Sequence, residues 1–120
     1  AYVPPKIIII PSPLIRAETY FDLREPLQKF GRVGILELPE TGNYGSMKKV
    51  WYPEDYARWI SSFMAERHFR DLILIGHSNS GPIVAKVASL IPDRIQSIVL
   101  ADSIGVEDQK PLRVLGGRLW

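Results

Sequence analysis

Ser78 lies in the segment of this chain whose residue types and spacing point to a definite chemistry. Residues 72–75 form an apolar run, residues 76–81 read GHSNSG, and a helical pattern begins at Pro82. A strand that turns sharply into a helix lifts the side chain at the turn above the edge of a sheet, where a serine hydroxyl can attack a substrate. The spacing therefore predicts a nucleophilic serine at position 78. A helix N-cap, which needs no function, is the alternative explanation for the same residue.

A serine hydroxyl becomes a good nucleophile only when a neighbouring base takes its proton. The sequence offers two histidines, His68 and His77. His77 precedes Ser78, and in such a turn the preceding side chain is expected to point away from the serine. His68 ends a predicted helix, where a cation suits the negative end of the helix dipole. Neither histidine is expected to act as the base.

Length and composition indicate one domain with a core of ordinary size. The chain has 120 residues, of which 46% are apolar and 23% charged. We expect a single α/β domain over residues 1–120, with its core at about 6–105 and a tail at 106–120. The formal charge of +2 and the lack of any lysine or arginine cluster longer than two residues give no reason to expect nucleic acid as a partner.

The sequence also excludes several kinds of site. It contains no cysteine, so it has no disulfides, thiolate catalysis or cysteine-ligated metals. Two separated histidines without a nearby carboxylate pair form no recognisable ligand set, and we expect neither a metal nor a cofactor. The longest apolar run, residues 7–10, is far below the roughly 18–20 residues of a membrane span. Since no signal peptide is visible, the expected location is the cytoplasm.

Strand and helix patterns alternate along the chain. Gly31 suits the end of the first helix, and Pro26 should divide that helix into two short pieces. The alternation predicts a parallel four-stranded sheet with right-handed crossovers and helices on both faces, a three-layer αβα architecture. The predicted strands are 6–10, 33–38, 72–76 and 95–101, and the predicted helices are 20–30, 53–69 and 82–91.

Residues 76–81 resemble the nucleophile elbow of the α/β-hydrolase family. Residues 91–95, before the strand, are similar to the family's next crossover, and residues 37–39 with the glycines after them are similar to one of its loops. Ser80 stands where the elbow usually has its second glycine, a position that accepts only small residues. The resemblance implies a partial α/β-hydrolase fold holding strands three to six of eight, in the spatial order second, first, third, fourth, with the tail at the start of a cap region.

The same resemblance implies a serine hydrolase that acts on an ester or similar acyl bond of a small molecule. Ser78 would be the nucleophile, the Asn79 amide one oxyanion donor, and Asp102 an acid that orients a histidine. The second oxyanion donor would come from the loop after the first strand. There two prolines lack an N–H, so either Ser12 or Leu14 supplies it or no residue of this loop does. The family's histidine comes from a later loop, so the sequence is expected to be an incomplete fragment without its catalytic base.

Two other functions remain open at this point. The altered first loop favours a non-catalytic α/β module that keeps the elbow for its shape and binds a small ligand at the strand ends. A dinucleotide-binding domain is disfavoured because the first strand is not followed by a glycine-rich loop. The predicted edge strand 95–101 is mostly apolar and carries no charge. Such an edge invites pairing, so we expect self-association or a covering partner.

Overall fold

In the computed structural model, residues 3–13, 15–39 and 51–102 are described. Leu14, and the tail predicted at 106–120, lie outside the described residues. The strands are β1 (Ile7–Ile10), β2 (Val33–Ile35), β3 (Leu72–His77) and β4 (Ile95–Ala101), and the α-helices are α1 (Arg24–Leu27), α2 (Pro53–Glu66) and α3 (Gly81–Leu90). Four 3₁₀ turns accompany them at Ala17–Leu23, Gln28–Phe30, Ser78–Ser80 and Pro92–Arg94.

The described strands form one parallel sheet in the order β2-β1-β3-β4. This confirms the predicted architecture and spatial order. The chain moves outward from β1 to β2, then crosses back past β1 to β3 and continues to β4. The order therefore reverses between β1 and β3. In sheets of this kind, ligands bind at the carboxyl ends of the two strands that flank such a reversal.

The helices lie on both faces of the sheet. α2 and α3 pack against each other, and a Cβ at Gly76 of β3 would lie 2.9 Å from Val84 Cγ2 of α3. Gly76 therefore faces α3, and the next residue, His77, faces the opposite side. There it contacts Tyr20 of the first helical segment. The α3 side chains Ile83, Val84 and Val87 and all four isoleucines of β1 are buried between these layers.

Three predicted elements differ from the structure by more than one residue at an end. In the predicted helix 20–30, the apolar residues Tyr20, Leu23, Leu27 and Phe30 are spaced three and four apart, as on one face of an α-helix, but in the structure Tyr20 is buried while Leu23 and Phe30 are exposed. Most of this segment is 3₁₀ helix, whose three residues per turn rotate the side chains off a single α-helical face. α2 ends at Glu66 rather than near residue 69, because His68 adopts a left-handed φ of 58°. β2 ends at Ile35 rather than at residue 38.

Candidate functional site

Ser78 occupies the sharp turn between β3 and α3. β3 ends at His77, Ser78 begins a three-residue 3₁₀ turn, and α3 starts at Gly81. Ser78 has a φ of 54° and is partly exposed. A residue other than glycine pays about 1–2 kcal/mol for this left-handed conformation, because its Cβ crowds the following carbonyl. The strand, the turn and the helix that the sequence predicts are therefore present, and the backbone is strained at the serine itself.

Ser80 anchors this turn to the neighbouring strand. Its side chain is fully buried, and its Oγ accepts a hydrogen bond from the His77 N–H at 2.7 Å. The same hydroxyl donates towards the Ile10 carbonyl oxygen at 2.7 Å, the nearer of two acceptors, the other being the His77 carbonyl at 3.0 Å. The sequence indicated that a small residue was needed at position 80. It gave no sign that the hydroxyl would be used.

Tyr20 joins the loop after β1 to the end of β3. Its hydroxyl lies 2.8 Å from His77 Nδ1 and accepts a hydrogen bond from the Ser12 N–H at 3.2 Å. The Tyr20 and His77 rings meet edge to face, with their centroids 5.6 Å apart. Ser12 is 1% exposed, so in this structure its amide faces Tyr20 rather than solvent. The role of Ser12 as an oxyanion donor stays a prediction, and so does that of Leu14, which lies outside the described residues.

Asp102 lies at the same edge of the sheet as Ser78. The register pairs His77, the last residue of β3, with Ala101, the last residue of β4. Ser78 and Asp102 therefore directly follow two adjacent strands, and neighbouring strands lie about 4.8 Å apart. Asp102 is exposed and also left-handed, with a φ of 47°. Asn79 is partly exposed in the turn that leads into α3. Its amide is near the positive end of the helix dipole, which favours negative charge.

Neither histidine is placed to take a proton from Ser78. His77 Nδ1 lies against Tyr20, and its ring is on the face of the sheet that α3 does not cover. His68 follows α2 and precedes β3, which places it at the amino edge of the sheet. There it lines a cavity of about 670 Å³ together with Phe63 and Phe69. This cavity is remote from Ser78, and we do not assign a substrate to it.

In residues 3–13, 15–39 and 51–102, no group of three or more histidine, aspartate or glutamate side chains could hold a metal ion. No helix in this part of the chain is long and apolar enough to cross a membrane.

The fold and this edge define a parallel α/β protein with a strained serine turn where the strand order reverses. The solved structures similar to the described chain are α/β-hydrolase fold proteins. No protein-family model matches the sequence, and no curated protein is significantly similar to it. The described part of the chain has the α/β-hydrolase fold.

Three of the similar structures illustrate the match. An extracellular α/β-hydrolase from a Paenibacillus species is 24% identical over 81% of this chain, with a TM-score of 0.67. A thioesterase of the prodiginine pathway in Streptomyces coelicolor is 20% identical over 81%, with a TM-score of 0.71. A pyrethroid hydrolase is 26% identical over 81%, with a TM-score of 0.61. The chain spans 40%, 38% and 39% of the length of these three proteins.

Proposed function

We propose that this chain contributes the nucleophile and part of the oxyanion site of a serine hydrolase that cleaves an ester or a similar acyl bond. The observation that carries the proposal is the left-handed Ser78, which stands between a strand end and a helix start at the reversal of strand order. Strained backbone persists where the surroundings enforce it, and it is concentrated at functional sites. The similarity to a thioesterase and a pyrethroid hydrolase supports a hydrolase.

In the proposed reaction, Ser78 Oγ gives its proton to a base and attacks the acyl carbon of the substrate. The carbonyl oxygen becomes an oxyanion, and the Asn79 N–H donates to it beside the positive end of α3. The tetrahedral intermediate then expels the leaving group, which takes the proton from the base. Water, activated by the same base, releases the acyl group and restores Ser78.

The base in this proposal is a histidine beyond these 120 residues. The two histidines of the chain lie elsewhere, one against Tyr20 and the other at the amino edge of the sheet. Asp102 is the acid proposed to orient the missing imidazole, because it follows β4 at the level where Ser78 follows β3. The 120-residue chain alone is therefore expected to turn over substrate very slowly.

A binding module that does not catalyse is the second candidate function. It is favoured by the Ser12 amide, which donates to Tyr20 and is buried instead of facing a ligand. On this account the strand ends would still form a small-ligand site at the reversal of strand order.

Ester turnover distinguishes the two. We would assay a longer form of the protein, containing these residues and the proposed histidine, against short-chain p-nitrophenyl esters. Ser78→Ala should abolish the turnover, and Ser89→Ala, an exposed serine on α3 whose hydroxyl bonds its own helix, should leave it unchanged. Turnover that survives in Ser78→Ala would refute the hydrolase assignment. A folded longer form that binds ligands without turnover would favour the binding module.

A further inference from the structure

We propose that Ser80 is a positioning residue, whose buried hydroxyl fixes the two residues that would act on the substrate. The effect of Ser80 on catalysis rests on the proposed function, whereas its role in holding the turn does not. Ser80 is 0% exposed, and its Oγ makes hydrogen bonds to two different strands. A hydroxyl this deeply buried is costly unless it is hydrogen-bonded, and here both its donor and its acceptor capacity are used.

The first of these bonds closes a small ring around the serine turn. The His77 N–H donates to Ser80 Oγ at 2.7 Å. Ser78 and Asn79 are the two residues enclosed between the ends of that bond. The ring therefore contains the proposed nucleophile and the proposed oxyanion donor. It also opposes relaxation of the left-handed Ser78, since relaxing that residue would move His77 and Ser80 relative to each other.

The second bond ties the ring to the sheet. Ser80 Oγ donates to the carbonyl oxygen of Ile10, the last residue of β1. Because β1 and β3 flank the reversal of strand order, this bond joins the serine turn to the strand that leads into the first loop. This hydroxyl therefore helps to fix the distance between Ser78 Oγ and that loop, in addition to the pairing of β1 with β3. A glycine or alanine at position 80 would leave the turn without this link.

Two variants separate a positioning role from a general effect on stability. Ser80→Ala removes the hydroxyl that makes these bonds. Ser61→Ala is the matched control, because Ser61 is also a buried serine but its Oγ has no hydrogen-bond partner among the described residues. Ser80→Gly provides a second test if the alanine variant fails to fold.

Two measurements are made on both variants. In the 120-residue chain, Ser80→Ala should accelerate hydrogen exchange at the His77 backbone amide by about tenfold or more. The reason is that this amide loses the hydrogen bond to Ser80 Oγ that protects it from exchange. Exchange at Leu74, in the middle of β3, should not change.

In the longer form, kcat for ester hydrolysis should fall about tenfold to a hundredfold with little change in KM, since misplacing a reacting group slows the chemical step.

The outcomes separate the failure of this inference from that of the proposed function. Unchanged His77 exchange in Ser80→Ala, or a kcat equal to that of Ser61→Ala, would overturn the positioning role. If the wild-type longer form has no esterase activity, the proposed function fails. The exchange measurement then still decides whether Ser80 holds the turn.

Discussion

The Tyr20 hydroxyl lies 2.8 Å from Nδ1 of His77, across 57 residues of sequence. This contact brings the first helical segment against the end of β3, on the face of the sheet opposite α3. The same hydroxyl accepts the Ser12 N–H. Together with the Ser80 bridge to Ile10, it holds the loop after β1 to the serine turn by two separate hydroxyl groups.

Tyr20→Phe should lower the free energy of unfolding by about 1–3 kcal/mol, because the buried Ser12 amide and the His77 ring lose a partner. Urea unfolding measures the change. Tyr52→Phe, at a side chain that is 66% exposed, is the control and should have almost no effect. Equal stability of the two variants would mean that the Tyr20 hydroxyl contributes nothing at this junction.

Gly76→Ala should destabilise the chain by about 1–3 kcal/mol through overpacking. The new Cβ would lie 2.9 Å from Val84 Cγ2, closer than Cβ atoms approach other atoms in native packing, and 3.2 Å from the Ser80 carbonyl oxygen, which is also a tight contact. The backbone that would have to move to relieve the contact with the Ser80 carbonyl is part of the serine turn. The stability of Gly76→Ala is compared by thermal unfolding with that of Gly34→Ala, whose new Cβ would lie at an ordinary contact distance of 3.8 Å from Pro5 Cβ. A Gly76→Ala variant as stable as Gly34→Ala would show that α3 can withdraw from the sheet without cost.

Ser78→Gly should be more stable than Ser78→Ala by about 1 kcal/mol, although both remove the hydroxyl. Glycine adopts a φ of 54° without strain, whereas alanine keeps the Cβ. The difference in unfolding free energy between the two variants, measured with denaturant, gives the cost of the strained backbone at this position. Comparing His68→Gly with His68→Ala measures the same difference in unfolding free energy at an exposed residue with a φ of 58° and no proposed chemistry. If alanine were the more stable residue at position 78, the turn would not be strained.

Ser97→Lys should reduce self-association of the chain, if the edge of β4 mediates it as the sequence predicts. Among the described strands β4 pairs only with β3, and Ser97 is exposed. A charge on an open edge strand disfavours strand pairing between copies. Sedimentation velocity over a range of concentrations measures the effect. Ser89→Lys, on the exposed side of α3, is the control, and a wild-type chain that stays monomeric at high concentration would contradict the expectation.

The sequence predicted three of the four described strands to within one residue at each end, because their apolar runs are long and end abruptly, whereas β2 ends three residues earlier than predicted. Ile95–Ala101 was predicted at both ends, and Leu72–His77 to within one residue. The first helical segment was predicted less well, since its side-chain spacing suits an α-helix while most of the segment is 3₁₀. The spacing of apolar residues along the sequence does not reveal where tertiary packing favours a 3₁₀ helix over an α-helix.

The candidate site was predictable in part. The spacing around Ser78 predicted a sharp turn, and the left-handed φ at that residue is its physical counterpart. The links made by Ser80 and Tyr20 were not predictable, because they join residues 70 and 57 positions apart. No local pattern encodes which hydroxyl will meet which carbonyl once the sheet has formed.

The most direct test of the account is to find where a fluorophosphonate reacts. The longer form would be treated with the reagent and digested with trypsin, which releases residues 71–86 as one peptide containing both Ser78 and Ser80. Fragmentation of that peptide should place the adduct on Ser78, and Ser78→Ala should remove it while Ser61→Ala keeps it. An adduct on another residue, or no adduct on a folded and otherwise active protein, would contradict the claim that Ser78 is the nucleophile.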